Sequence, residues 1–132
     1  MQNGSSLVGD SAQVPVPIHY LLELQKPTGL FEISENLAKA VGISLGAIKL
    51  SKPKTWPLPS QQKLPDEVWA TALVIAYLRS KRSFEKEHWT NAASVANQWL
   101  HNEAKHAGFP ETITPVKTLI AMASQQLGGG RS

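Results

Sequence analysis

The stretch VWATALVIAYL, positions 68–78, limits the possible folds of this chain more than any other. It sits in a helix with a clear start. Pro65 suits a first turn, and Asp66 and Glu67 suit the positive end of the helix dipole. On a helical wheel Val68, Trp69, Ala72, Leu73, Ile75 and Ala76 fill a broad apolar arc. The opposite side offers Glu67, Ala70, Thr71, Val74, Tyr77 and Leu78, of which only Glu67 is charged. A helix that is apolar all round must be covered on most sides. The run is about half the ~20 residues a membrane span requires, so the cover has to be protein.

The chain is long enough to supply that cover. Its 132 residues fit one domain, and a domain near that length buries roughly two thirds of its unfolded surface. Hydrophobic residues make up 42% and charged residues 17%. The first figure argues against disorder. The second is low for a free-standing domain and suggests that part of the surface meets another protein. With no cysteine, a disulfide framework, a thiolate zinc site and a cysteine nucleophile are excluded. A cytoplasmic location fits that composition.

Helix punctuation recurs along the chain, and no strand alternation or hairpin turn appears. Pro17 sits at a first helical position before IHYLLELQ, which ends at the turn KPTG. Ser34 and Ser44 are good N-caps, Gly42 is a stop between them, and Ile43 with Ile48 is spaced as a hydrophobic staple. Positions 51–65 carry four prolines and cannot continue a helix, and Trp56 is placed to pin that connection to the core. Ser83 is a candidate cap for a helix from Phe84 to about His106. Phe84, Trp89, Ala92, Ala93, Val95, Ala96, Trp99 and Leu100 fall on one face of it. Thr114 and Pro115 open a last helix that Gly128 would stop.

The expected fold is therefore all-α: a compact orthogonal bundle of about five to six helices around a buried central helix, 66–80. Trp69, Leu73, Ile75, Trp89 and Trp99 are its expected structural core. The organisation expected is a flexible leader at 1–16, one helical domain at 17–127 with a proline-rich loop at 51–65, and a flexible tail at 128–132.

Chemistry is thinly represented. No two of His19, His88, His101 and His106 have the i, i+4 spacing of a metal-binding helix. The paired acids Asp66–Glu67 and Glu85–Glu87 sit in first helical turns, where the dipole explains them. There is no phosphate loop and no nucleophile elbow. A non-catalytic domain without metal or cofactor is the expectation.

Two surfaces stand out instead. The outer face of helix 84–106 carries Thr90, Asn91, Ser94, Asn97, Gln98 and His101, with no Lys, Glu or Arg among them. A polar, uncharged stripe costs little to desolvate and suits a protein partner. The alternative is a basic patch of Lys49, Lys52, Lys54 and Trp56, which would hold nucleic acid or another acidic surface with Trp56 as a stacking ring. The net charge of +3 favours that only slightly.

Two segments also carry a family pattern. LQKPTGLFEISENLAKAVGISL, at 24–45, and DEVWATALVIAYL, at 66–78, resemble a region near the C-terminus of proteins with VIT and von Willebrand factor A domains. The Trp-Ala-Trp-Leu pattern over positions 89–100 is similar to the helix that follows there, so the resemblance covers roughly residues 18–105. These are core-type residues, and they imply shared fold and descent more than a shared site. The region is distantly similar to the part of vault poly(ADP-ribose) polymerase that binds the major vault protein. The resemblance implies a helical docking or scaffolding module of a larger protein, with the major vault protein as one candidate partner.

Overall fold

The computed structural model describes residues 16–57, 62–110 and 115–127. Most of the expected leader, all of the expected tail, Thr114 and Gly128 lie outside them. Six α-helices are present among the described residues: α1 (Ile18–Glu23), α2 (Glu35–Val41), α3 (Leu45–Ser51), α4 (Asp66–Lys81), α5 (Lys86–His106) and α6 (Pro115–Gln126). A 3₁₀ turn, Ser83–Glu85, joins α4 to α5. The fold is an all-α bundle, and α4 is its centre.

The caps work as their chemistry predicts. The Ser34 hydroxyl accepts from the Leu37 N–H and the Ser44 hydroxyl from the Ala47 N–H, each at 3.1 Å. Gly42 closes α2 in the left-handed region at φ 77°. The start of α1 differs by one residue: Pro17 is extended and stands before the helix, because its ψ of 139° takes it out of helical geometry.

Every residue from 68 to 78 of α4 is buried, Trp69 completely. Helices α5 and α6 pack along it most extensively, and α5 also meets α6 and α1. The one aliphatic hydroxyl inside this apolar column is bonded twice. Thr71 Oγ1 donates to the Glu67 carbonyl at 2.7 Å and accepts the Phe31 N–H at 2.9 Å. The buried donor of Phe31, on the segment between α1 and α2, is thereby satisfied and tied to the central helix. Trp69 Nε1 donates to Ser51 Oγ at 3.3 Å and ties α3 to the same helix.

The turn after α1 is fitted to α5 by a glycine. Gly29 has φ 111°, and a Cβ there would stand 2.7 Å from the Val95 carbonyl oxygen. Both the left-handed backbone and the close approach exclude a side chain. Gln25 Nε2 donates to the Gly29 and Ala92 carbonyls at 3.0 and 2.9 Å and holds the turn there.

The apolar face expected for α5 is wider than the one observed. The buried stripe is Trp89, Ala96, Leu100 and Ala104, at helical spacing. Val95 and Trp99 lie one residue, or ~100° of turn, before members of that stripe. Val95 is exposed, and Trp99 is only half-buried against the core rather than part of it. Phe84 is 77% exposed, because the 3₁₀ turn breaks the helical phase ahead of Lys86. Ser83 makes no cap, and the first residue of α5 is Lys86.

Replacing Trp69 by Ala is expected to cost about 3–5 kcal/mol of unfolding free energy, since a completely buried indole leaves a cavity at the centre of the bundle. Denaturant melts of wild type and variant measure it, and unchanged stability would contradict the central place of α4.

Candidate functional site

The site is assembled around the α4–α5 junction. Arg82 ends α4, and its side chain turns inward and is buried. A buried guanidinium needs partners for its fork of donors, and three are in place. Nε pairs with the Glu85 carboxylate. Nη1 donates to the Tyr77 hydroxyl at 3.0 Å and to the Val16 carbonyl at 2.8 Å. The guanidinium carbon also lies 6.0 Å from the centre of the Tyr77 ring. The Arg82 carbonyl in turn accepts the indole N–H of Trp89 at 2.7 Å. One residue therefore fixes the end of α4, the 3₁₀ turn, the first turn of α5 and the segment entering α1.

The charges respond as that geometry requires. The hydrogen bond from Arg82 holds the Glu85 carboxyl below its ordinary range, and the same bond, against the opposing effect of burial, raises the already high pKa of Arg82. In the sequence Arg82 stands out only as a cation suited to a helix C-terminus. The i, i+3 spacing of Arg82 and Glu85, with Trp89 one turn further on, is the signal that points to the rest.

Locking Trp89 in this way opens a groove of about 450 Å³ beside it. Trp89 and Ala93 give it an apolar floor, Thr90, Ser94, Asn97 and Ser83 give it hydroxyl and amide groups, and Arg79 and Lys86 stand at its margin. Three of the six residues singled out on the outer face of this helix are brought together there: Thr90, Ser94 and Asn97. The other three are elsewhere on the helix. Asn91 and Gln98 are exposed outside the groove, and His101 is half-exposed. Trp89, named for the core, serves both as core and as groove floor.

The alternative basic patch does not assemble. Trp56 is 3% exposed and packs on Phe109, with ring centroids 5.7 Å apart, so it presents no face for stacking. Lys52 is turned inward, donating to the Leu64 carbonyl at 2.6 Å and lying 3.3 Å from Asp66 Oδ1. Lys49 and Lys54 alone remain exposed. The proline-rich connection is itself anchored. A single antiparallel bridge pairs Thr55 with Lys63, and Gln62 Nε2 donates to the Ala107 carbonyl at 2.9 Å. Among the described residues no cluster of His, Asp or Glu could hold a metal ion, and no helix is long and apolar enough to cross a membrane.

Comparison with known proteins places most of the chain beside one kind of protein. Over 105 residues, 78% of the chain, it is 29% identical to von Willebrand factor A domain-containing protein 5A of Mus musculus. Over 95 residues, 72% of the chain, it is 32% identical to the protein of the same name from Rattus norvegicus. The match covers 12% and 10% of those proteins, so the chain spans about a tenth of the length of the relatives it matches. The relation is distant and covers most of this chain, in agreement with the resemblance carried by the segments at 24–45 and 66–78. No protein-family model matches the chain, and no solved structure matches it.

The Arg82–Glu85 pair makes the junction sensitive to acid. A carboxyl whose folded pKa is depressed adds stability above its unfolded value of 4.5, and that contribution is lost as pH falls through the lower folded value. Glu85→Gln is therefore expected to melt below wild type at neutral pH, where it leaves the buried Arg82 without its counter-charge. The gap should narrow as pH is lowered from about 5 to about 3. Thermal melts across that range measure it, and a gap independent of pH would show the pair to be inert.

Proposed function

We propose that this chain is a non-catalytic protein-docking domain of a larger protein of the von Willebrand factor A type, acting through the α5 groove. The observation that carries the reading is the convergence of Trp89, Thr90, Ser94, Asn97, Arg79 and Lys86 on one groove at the surface of the bundle. Arginine is among the side chains that contribute most to binding at protein interfaces, and Arg79 is exposed at this groove. Uncharged hydroxyls and amides around it are cheap to desolvate. The distant relation to von Willebrand factor A domain-containing protein 5A supports descent from such a protein. A place near the C-terminus of the parent and a scaffolding role follow from the family resemblance, a cytoplasmic setting fits the absence of cysteine, and all three belong to the proposal. The major vault protein enters as a candidate partner on the resemblance alone.

Affinity capture from lysate tests the reading. Wild type is compared with Ser94→Trp, which fills the groove from an exposed position, and with Lys49→Glu, which lies on α3. A protein retained by wild type and Lys49→Glu but lost with Ser94→Trp is the expected result. Probing the retained fraction for the major vault protein decides that narrower point. Equal retention by all three proteins would show that the groove is not the docking surface.

A further inference from the structure

The groove has a sign. Arg79 and Lys86 are at its margin and no carboxylate lines it. Of the two acids flanking Lys86, Glu85 is bound to Arg82, and Glu87 is exposed and does not line the groove. Among the described residues neither Arg79 nor Lys86 forms an ion pair, and both are exposed. Arg79 also lines a second, shallower groove on the other side of α4, with Lys117 of α6 and an apolar wall of Ala76, Ile120 and Ala121. No carboxylate lines that groove either. A track with three cations and an interrupted apolar floor thus runs from α5 over the C-terminal end of α4 to α6. The groove beside α1 differs, since it sets Glu23 against Lys39 and has no single sign.

Placing Arg79 in the last turn of α4 offsets the negative end of the helix dipole, which explains a cation there. It does not explain why Lys86 and Lys117, on other helices, face the same track without counter-charges. From this arrangement we infer that the partner presents an acidic segment: a short stretch bearing Asp or Glu residues and at least one large apolar side chain. The carboxylates meet Arg79, Lys86 and Lys117, and the apolar side chain covers Trp89 and Ala93. The inference rests on the docking reading and supplies the chemistry of the partner. Nucleic acid fits the track less well. Its affinity comes from many phosphate contacts, whereas this track has three cations.

Selection of short random peptides displayed on phage against the immobilised domain tests it without a known partner. The expected pool is enriched in Asp and Glu with interspersed large apolar residues. Its synthetic members should bind more weakly as salt is raised, and binding should fall by about tenfold or more in Arg79→Glu/Lys86→Glu. The melting temperature is expected to move little, because the acid placed in the last turn of α4 is offset by the acid placed in the first turn of α5, and Lys49→Glu/Lys54→Glu serves as the control on another face. A pool without acidic enrichment, a pool bound equally by the double variant, or no pool would overturn the inference. So would single-stranded DNA bound by wild type and lost in the double variant with no peptide enriched. A non-acidic pool that is lost in Ser94→Trp would overturn the acidic partner and leave the groove as the docking site. A pool indifferent to both variants would remove the two together.

Discussion

An α-helix with almost no polar side to give to water can exist in a small protein only if the rest of the chain wraps it. Residues 68–78 of α4 are buried on all sides, with α5 and α6 along the helix and the segments leading into α2 and out of α3 closing the remainder. The backbone of α4 satisfies its own hydrogen bonds, so burial costs only what its side chains demand. That demand is small. Thr71 carries the single aliphatic hydroxyl in the column, and it is used to accept the Phe31 N–H rather than left unpaired. A polar group that would otherwise be a penalty becomes the register mark between the central helix and the connection that crosses it.

The second consequence lies at the C-terminal end of α4, where the helix must leave the core and the chain must turn back. The turn is made around a buried cation. Arg82 reaches the Val16 carbonyl, the Tyr77 hydroxyl and the Glu85 carboxylate, while its own carbonyl holds the Trp89 indole. Because the indole is fixed from behind, its remaining edge and the small residue Ala93 one turn further on leave a groove instead of filling it. Core and surface are therefore coupled through a few hydrogen bonds, and the groove is pre-formed, a condition that lowers the entropic cost of binding.

Much of the architecture is legible in the amino-acid sequence. The two serine caps, the Gly42 stop and the unbroken apolar run at 68–78 follow rules that depend on local chemistry, and each reappears in place. The features that are not legible depend on tertiary packing. The phase of α5 relative to the core decides that Val95 and Phe84 are exposed and Trp99 half-buried, and a helical wheel cannot fix that phase to better than one residue. Trp56 and Lys52 suggest a clamp because they lie close in sequence to other lysines. Phe109, Leu64 and Asp66, which turn them inward, are distant or in a different element. Of the outer stripe of α5, only Thr90, Ser94 and Asn97 share the groove. Arg79, supplied by the preceding helix, joins them only once the two helices are packed.

The central claim is that everything else is organised on α4, and native-state amide hydrogen exchange measures this most directly. Amides of residues 70–78 are expected to exchange only through global unfolding, with the free energy given by denaturant melts, whereas amides of α1 and of the first turn of α5 open at lower cost. Exchange of the 70–78 amides through local openings well below the global free energy, ahead of those in α1, would contradict a structure built around that helix.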